Sequence, residues 1–129
     1  MLNVNLDSVA GADGLTALTS GVPGMSGFVR AALAPAGSAV GIHAGFMGNS
    51  DHANYLRAGI PALRLCAGFD QPRSNLRLLL TAGDTRDKVA PAQLRAAAEV
   101  AATLALAACA GAVPVPPMLD ADVAARLTA

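Results

Sequence analysis

Leu2-Asn3-Val4-Asn5-Leu6-Asp7 opens the chain with apolar and polar residues in strict alternation, the two-residue period of a strand with one buried face. Asp7 falls at its carboxyl end. Outward from there, Leu15 to Thr19 reads as a second short strand. After Gly21-Val22-Pro23-Gly24 a helix is predicted from about Met25 to Leu33, stopped near Pro35. Strand, turn and helix in that order point to an α/β build.

Residues 38–49 are glycine-rich and irregular, after which Ser50-Asp51 are placed to cap a short helix carrying Tyr55, Leu56 and Arg57 and ended by Gly59. Ile60 to Leu65 reads as a strand with Pro61 near its start, where a lost N–H is tolerated. A loop containing Gln71-Pro72 leads to Leu78-Leu79-Leu80, which resembles a buried strand. Thr81 to Lys88 is polar and turn-rich. Pro91 then suits the first turn of the longest helix, roughly 91–110. Along it Leu94, Ala97, Ala98, Ala101, Leu104, Ala105 and Ala108 recur at three- and four-residue spacing, so that face is expected on the sheet. The predicted architecture is a partial αβα sandwich, a mostly parallel sheet with helices on both faces. It spans residues 1–112, followed by a loosely packed proline-rich tail, 113–129, in which Asp120 caps a last short helix.

The 129 residues make one domain's worth of chain, 53% hydrophobic and 14% charged, far from the disordered class. Nine basic side chains balance nine acidic ones. Eight Arg and one Lys, scattered singly, leave no footprint for a phosphate backbone, so nucleic acid is excluded as an expected partner. Thirty alanines against four aromatics imply closely spaced elements. Cys66 and Cys109 have no CxxC spacing and lie in apolar runs, which favours two buried free thiols. Met1 leads directly into the alternating strand rather than into the basic and long apolar regions of a signal peptide. The charge-free segment from Val100 to Leu119 is broken by Gly111 and three prolines. Its helical part is too short and alanine-rich to cross about 30 Å of hydrocarbon, so no membrane is expected.

Acid–base or metal chemistry needs carboxylates and imidazoles brought together, and in open α/β sheets such groups gather at the carboxyl ends of strands. Asp7, Asp51-His52, Asp84 and Asp87 are the candidates. Singly each has a plain structural reading: a turn aspartate, a helix cap, a first-turn histidine. The sole glutamate, Glu99, lies mid-helix and is a poor general base.

In order, however, four segments carry a resemblance: Leu2-Asn3-Val4-Asn5-Leu6-Asp7, Asn49-Ser50-Asp51-His52-Ala53-Asn54-Tyr55, Ala58-Gly59-Ile60-Pro61-Ala62-Leu63, and Leu80-Thr81-Ala82-Gly83-Asp84-Thr85-Arg86-Asp87-Lys88-Val89. Over about residues 1–110 the sequence resembles the C-terminal half of the zinc-dependent aminopeptidases of peptidase family M-twenty-eight, which includes the glutaminyl-cyclase-like proteins. The resemblance implies that Asp7 is a zinc ligand. It implies that Asp51, His52, Thr81 and Asp84 are hydrogen-bonding groups around the ligands. Leu80 stands where the family's His-Thr-x-x-Asp-Thr motif has its ligand histidine, and leucine cannot coordinate a metal. The family's remaining ligands, a His-x-Asp pair, a bridging Asp and a Glu-Glu whose first member is the general base, belong to an N-terminal half that these residues do not include.

A catalytic zinc takes three protein ligands plus water, and a co-catalytic pair about five side chains with one carboxylate shared. With only Asp7 carried over, the chain alone is expected to be inactive and to bind zinc weakly or not at all. It reads as a fragment of a longer aminopeptidase or, in another class, as a non-catalytic pseudo-peptidase module that binds a peptide or partner. His52 and His43 are not expected to replace the missing ligand, His43 reading as a solvated loop histidine. A sheet cut short relative to the family would expose an edge, where self-association or a companion chain is expected.

Overall fold

The computed structural model describes residues 1–129. Four strands, β1 (Asn3–Leu6), β2 (Leu15–Leu18), β3 (Gly41–His43) and β4 (Ala62–Ala67), form one sheet in the order β1-β4-β2-β3. β1 is parallel to β4 and β2 to β3, whereas β2 and β4 are antiparallel. Two of the three pairings are therefore parallel. Helices α1 (Met25–Leu33) and α3 (Pro91–Cys109) pack together, as do α2 (His52–Arg57) and α4 (Ala121–Leu127). The expected partial αβα sandwich, with a mostly parallel sheet, is what the chain forms.

Register sorts the side chains onto two unlike faces. Val4 lies beside Leu63 and Leu6 beside Leu65, while Asn3 and Asn5 lie beside Ala62 and Arg64 on the opposite face. The first face is apolar. Phe28, Val29 and Leu33 of α1 and Val100 and Leu104 of α3 join Ala17, Leu63 and Leu65 in the core. β4, with a strand on each side, is buried along all six residues, as a strand covered on both faces must be. The second face is polar where β1 and β4 run under α2.

Several expectations are corrected. Leu78–Leu80 is no strand: Asn75–Leu78 forms a 3-10 turn, and Leu80 is 95% exposed with φ +61°. Three consecutive leucines carry no period, and the flanking polar groups close the chain on itself. Thr81 Oγ1 donates to the Leu78 carbonyl at 2.6 Å, and Asn75 Nδ2 reaches the Lys88 carbonyl at 3.3 Å. β3 lies in the stretch read as irregular, and α1, which connects β2 to it, allows the two to run parallel. On α3 the buried stripe is Ala97, Val100 and Leu104, whereas Leu94 is 46% exposed. Cys66 is buried, but Cys109 at the end of α3 is exposed. α3 runs 19 residues with mean hydropathy 1.2, long and apolar enough by length and composition to cross a membrane; in the fold it lies on β1 and α1.

The tail is held more firmly than its prolines suggest. Leu119 N–H donates to the Gly59 carbonyl at 2.8 Å, and Val113, Val115, Leu119 and Leu127 pack against the core. Gly59 ends α2 at φ +76°, and a Cβ there would come within 2.9 Å of the Leu119 carbonyl oxygen, so only glycine fits. Asp120 caps α4 as expected, its Oδ1 accepting from Val123 N–H at 2.7 Å.

Candidate functional site

β1 and β4 end side by side, and the chain turns sharply after each. Asp7 N–H completes the ladder to the Leu65 carbonyl at 3.3 Å. Ser8 then adopts φ +60°, and its own carbonyl accepts from Ala67 N–H at 2.8 Å. This turn leaves the Asp7 carbonyl out of the ladder, where Arg64 Nε donates to it at 3.4 Å. The Asp7 side chain is held at both oxygens. Oδ2 accepts from Ser50 Oγ at 2.5 Å and lies 3.4 Å from Arg64 Nη2, and Oδ1 accepts from Ser8 Oγ at 3.1 Å. Asn5 Nδ2 donates to Ser50 Oγ at 2.7 Å, and Arg64 Nη1 to Asn49 Oδ1 at 3.3 Å.

These bonds join two of the four segments singled out in the sequence, residues 2–7 and 49–55. Ser50 and Asp7, 43 residues apart, meet directly. Ser50 is diverted from helix capping by that contact; α2 begins at His52, and its N-cap residue Asp51 is exposed and makes no side-chain cap bond. Arg64, 3% exposed in an otherwise apolar strand, is the residue that sequence reasoning missed. Its one signal was a single charge inside Ile60–Ala67. A guanidinium in that position requires a carboxylate, and Asp7 supplies it.

His52 is fully buried at the start of α2, and neither ring nitrogen has a hydrogen-bond partner. Burial first, and the Arg64 cation second, push its pKa below the usual imidazole value, against opposing pulls from Asp7 and Asp51. Cys66, on the same sheet face as Arg64, has its thiol pushed up by burial, with Arg64 opposing. His43 belongs to β3 rather than to a loop, its ring 4.7 Å from that of Phe69.

Asp84 shares a groove of about 260 Å³ with Asp7, walled by Leu76, Leu79, Val89 and Leu94 and bordered by Lys88. Leu80 does not line it. Thr81 spends its hydroxyl on its own turn, donating to Leu78 and accepting from Gly83 N–H at 3.2 Å, and Thr85 Oγ1 bonds Asp87. Neither hydroxyl reaches α3, because both are satisfied inside the 78–88 segment. The structure thus joins Asp7 to Ser50, places Asp84 on the groove that Asp7 lines and buries His52 within electrostatic reach of Asp7, and it leaves Leu80 and Thr81 outside that groove.

No family model, curated protein or solved structure matches the chain. The zinc implied by the sequence resemblance does not fit these residues alone. Asp7 Oδ2 is occupied by Ser50 and a cation, and no three His, Cys, Asp or Glu side chains converge anywhere in the chain. A metal at Asp7 would draw its other donors from elsewhere.

Proposed function

We propose that the chain is the C-terminal part of a zinc-aminopeptidase-like domain, with Asp7 its single metal-facing carboxylate and the other ligands and the general base supplied by residues outside this sequence. The observation that carries this reading is the Ser50–Asp7 bond. Two segments that resemble the family's motifs in order also meet in space, at the carboxyl ends of parallel strands where α/β folds collect ligands. Asp84 on the same groove adds a third segment. On this reading Ser50 and Arg64 orient the Asp7 carboxylate, as groups around a metal ligand do, and the chain alone does not hydrolyse peptides.

Two observations favour a second reading, a pseudo-peptidase module that binds a peptide without cleaving it. A buried guanidinium on Oδ2 and the outward-facing Leu80 leave the carboxylate serving the fold rather than a metal. Hydrolysis of aminoacyl-arylamides by the longest natural polypeptide carrying this sequence separates the two. Zinc-dependent turnover is expected from the peptidase reading. Absence of both turnover and metal in that polypeptide leaves the binding module.

A further inference from the structure

Arg64 spends its whole guanidinium at one corner of the site. Nε donates to the Asp7 carbonyl at 3.4 Å, Nη2 lies 3.4 Å from Asp7 Oδ2, and Nη1 donates to Asn49 Oδ1 at 3.3 Å. Register sets this up: Arg64 lies beside Asn5 of β1, two residues short of Asp7, and its side chain reaches along the strands to the turn. The guanidinium is buried by this chain alone, and further chain packed on this face would only bury it more deeply. Oδ2 also takes the Ser50 hydroxyl, so that oxygen is committed to the α2 side. Oδ1 has a single partner, the hydroxyl of the adjacent Ser8 at 3.1 Å. The groove that Asp7 shares with Asp84 is lined by Ser8 and by neither Ser50 nor Arg64. The two carboxylate oxygens therefore serve different sides, Oδ2 the protein interior and Oδ1 the groove. Asp84, on the same groove, pairs with no cation, Lys88 being held by Asp87.

We propose that Arg64 is the resident counter-ion of Asp7, which neutralises the carboxylate inside the fold, leaves a metal only the groove-side oxygen Oδ1, and so sets how weakly this site holds a dication. This role rests on the peptidase reading, and Arg64 lies outside the four segments that resemble the family. Two effects of Arg64 oppose each other. It fixes the carboxylate, and loss of such a supporting group ordinarily lowers metal affinity roughly 10- to 100-fold. Its charge repels a dication, and it does so from a buried position, where water and salt screen least. Ser50 decides between them. Its 2.5 Å bond holds Oδ2 without a charge of its own, so orientation survives the loss of Arg64 while repulsion does not. A neutral side chain at position 64 therefore tightens metal binding.

Zinc dissociation constants, measured by chelator competition on the longest natural polypeptide carrying this sequence, test the role. Arg64→Met and Arg64→Lys both lose the three-nitrogen fork and differ in charge, so comparing them cancels the shared cost of a looser carboxylate. Arg64→Met should bind zinc roughly tenfold or more tightly than Arg64→Lys, and more tightly than the parent. Equal affinities would overturn the proposal. Zinc absent from the parent but bound by Arg64→Met supports it, and zinc absent from both overturns it. Methionine fills the aliphatic length of arginine, and Asp7, 35% exposed at its side chain, keeps contact with water, so this variant should fold. Nitrogen-15 NMR of the parent needs no variant: the Arg64 Nε–H should keep its shift and slow exchange when zinc is added. Its release on zinc addition would mean that the metal takes both oxygens, which also overturns the proposal. Asp7→Asn separates the two failures. Zinc lost there while Arg64→Met and Arg64→Lys bind alike removes the counter-ion role and leaves the peptidase reading, whereas zinc retained there removes that reading as well.

Discussion

Replacing Asp7 by alanine tests the polar cluster at its most connected residue. The variant removes the acceptor of the 2.5 Å Ser50 bond and the only carboxylate beside Arg64, which is 3% exposed. A hydrogen bond to a charged group contributes about 1.5–3 kcal/mol. Stripping the partner from a fully buried ion pair costs about 3–5 kcal/mol, but here that figure is too large. Asp7 is 35% exposed at its side chain, the Arg64 separation is 3.4 Å, and Arg64 keeps Asn49 and the Asp7 carbonyl. Solvent screening brings the pair nearer to about 1 kcal/mol. The expected loss is therefore about 3 kcal/mol, a large part of the 5–15 kcal/mol typical of a domain, and a fall in Tm on the order of 10 °C. Urea unfolding followed by circular dichroism measures it. Asp7→Asn, which keeps an acceptor for Ser50 and loses the charge, should cost about 1 kcal/mol. An Asp7→Ala variant within about 0.5 kcal/mol of the parent, the range of an ordinary surface change, would refute the cluster as a structural unit.

Three other outcomes follow from individual residues. In the fold His52 takes up its proton at lower pH than in the unfolded chain, where it does so below about pH 6.5. Stability should be full above that pH and fall as pH drops through it, by at most about 1.4 kcal/mol per pH unit. His52→Leu should abolish that part of the slope without destabilising the protein at pH 7.5, since the imidazole has no partner to lose; an unchanged pH profile contradicts it. With a thiol-specific chromogenic reagent Cys109 should react at once and Cys66 only on unfolding, given its burial and raised pKa; two fast thiols would show the β4 face to be open. Leu80→Gly should raise stability by about 1 kcal/mol, because Leu80 holds a left-handed conformation with its side chain in solvent. A loss of stability there would mean that Leu80 packs against something.

Periodicity made much of the fold legible. β1, β2, α1 and the long α3 follow from alternation, three- and four-residue spacing, and the stops at Pro35 and Gly111. β3 was hidden because Gly41-Ile42-His43 is too short to show a period, and its strand character comes from pairing with β2. Leu78–Leu80 misled for the converse reason: a run of apolar residues says nothing about burial when the neighbouring threonine and asparagine bond locally. At the candidate site, Asp7 and His52 could be named from sequence, but their setting could not. The Asp7–Arg64 pairing depends on β1 lying beside β4, a contact across 57 residues, and the diversion of Ser50 from capping depends on the same tertiary arrangement. Motif order pointed to Thr81 as a group near the ligands. The local turn chemistry that occupies it instead is visible only once the loop is folded.

Zinc stoichiometry in the longest natural polypeptide bearing this sequence, measured for the parent and for Asp7→Asn, bears most directly on the central reading. Bound metal in the parent, with at least part of it lost in the folded variant, is the expected result. Equal zinc in both proteins, or none in the parent, would contradict Asp7 as a metal-facing carboxylate.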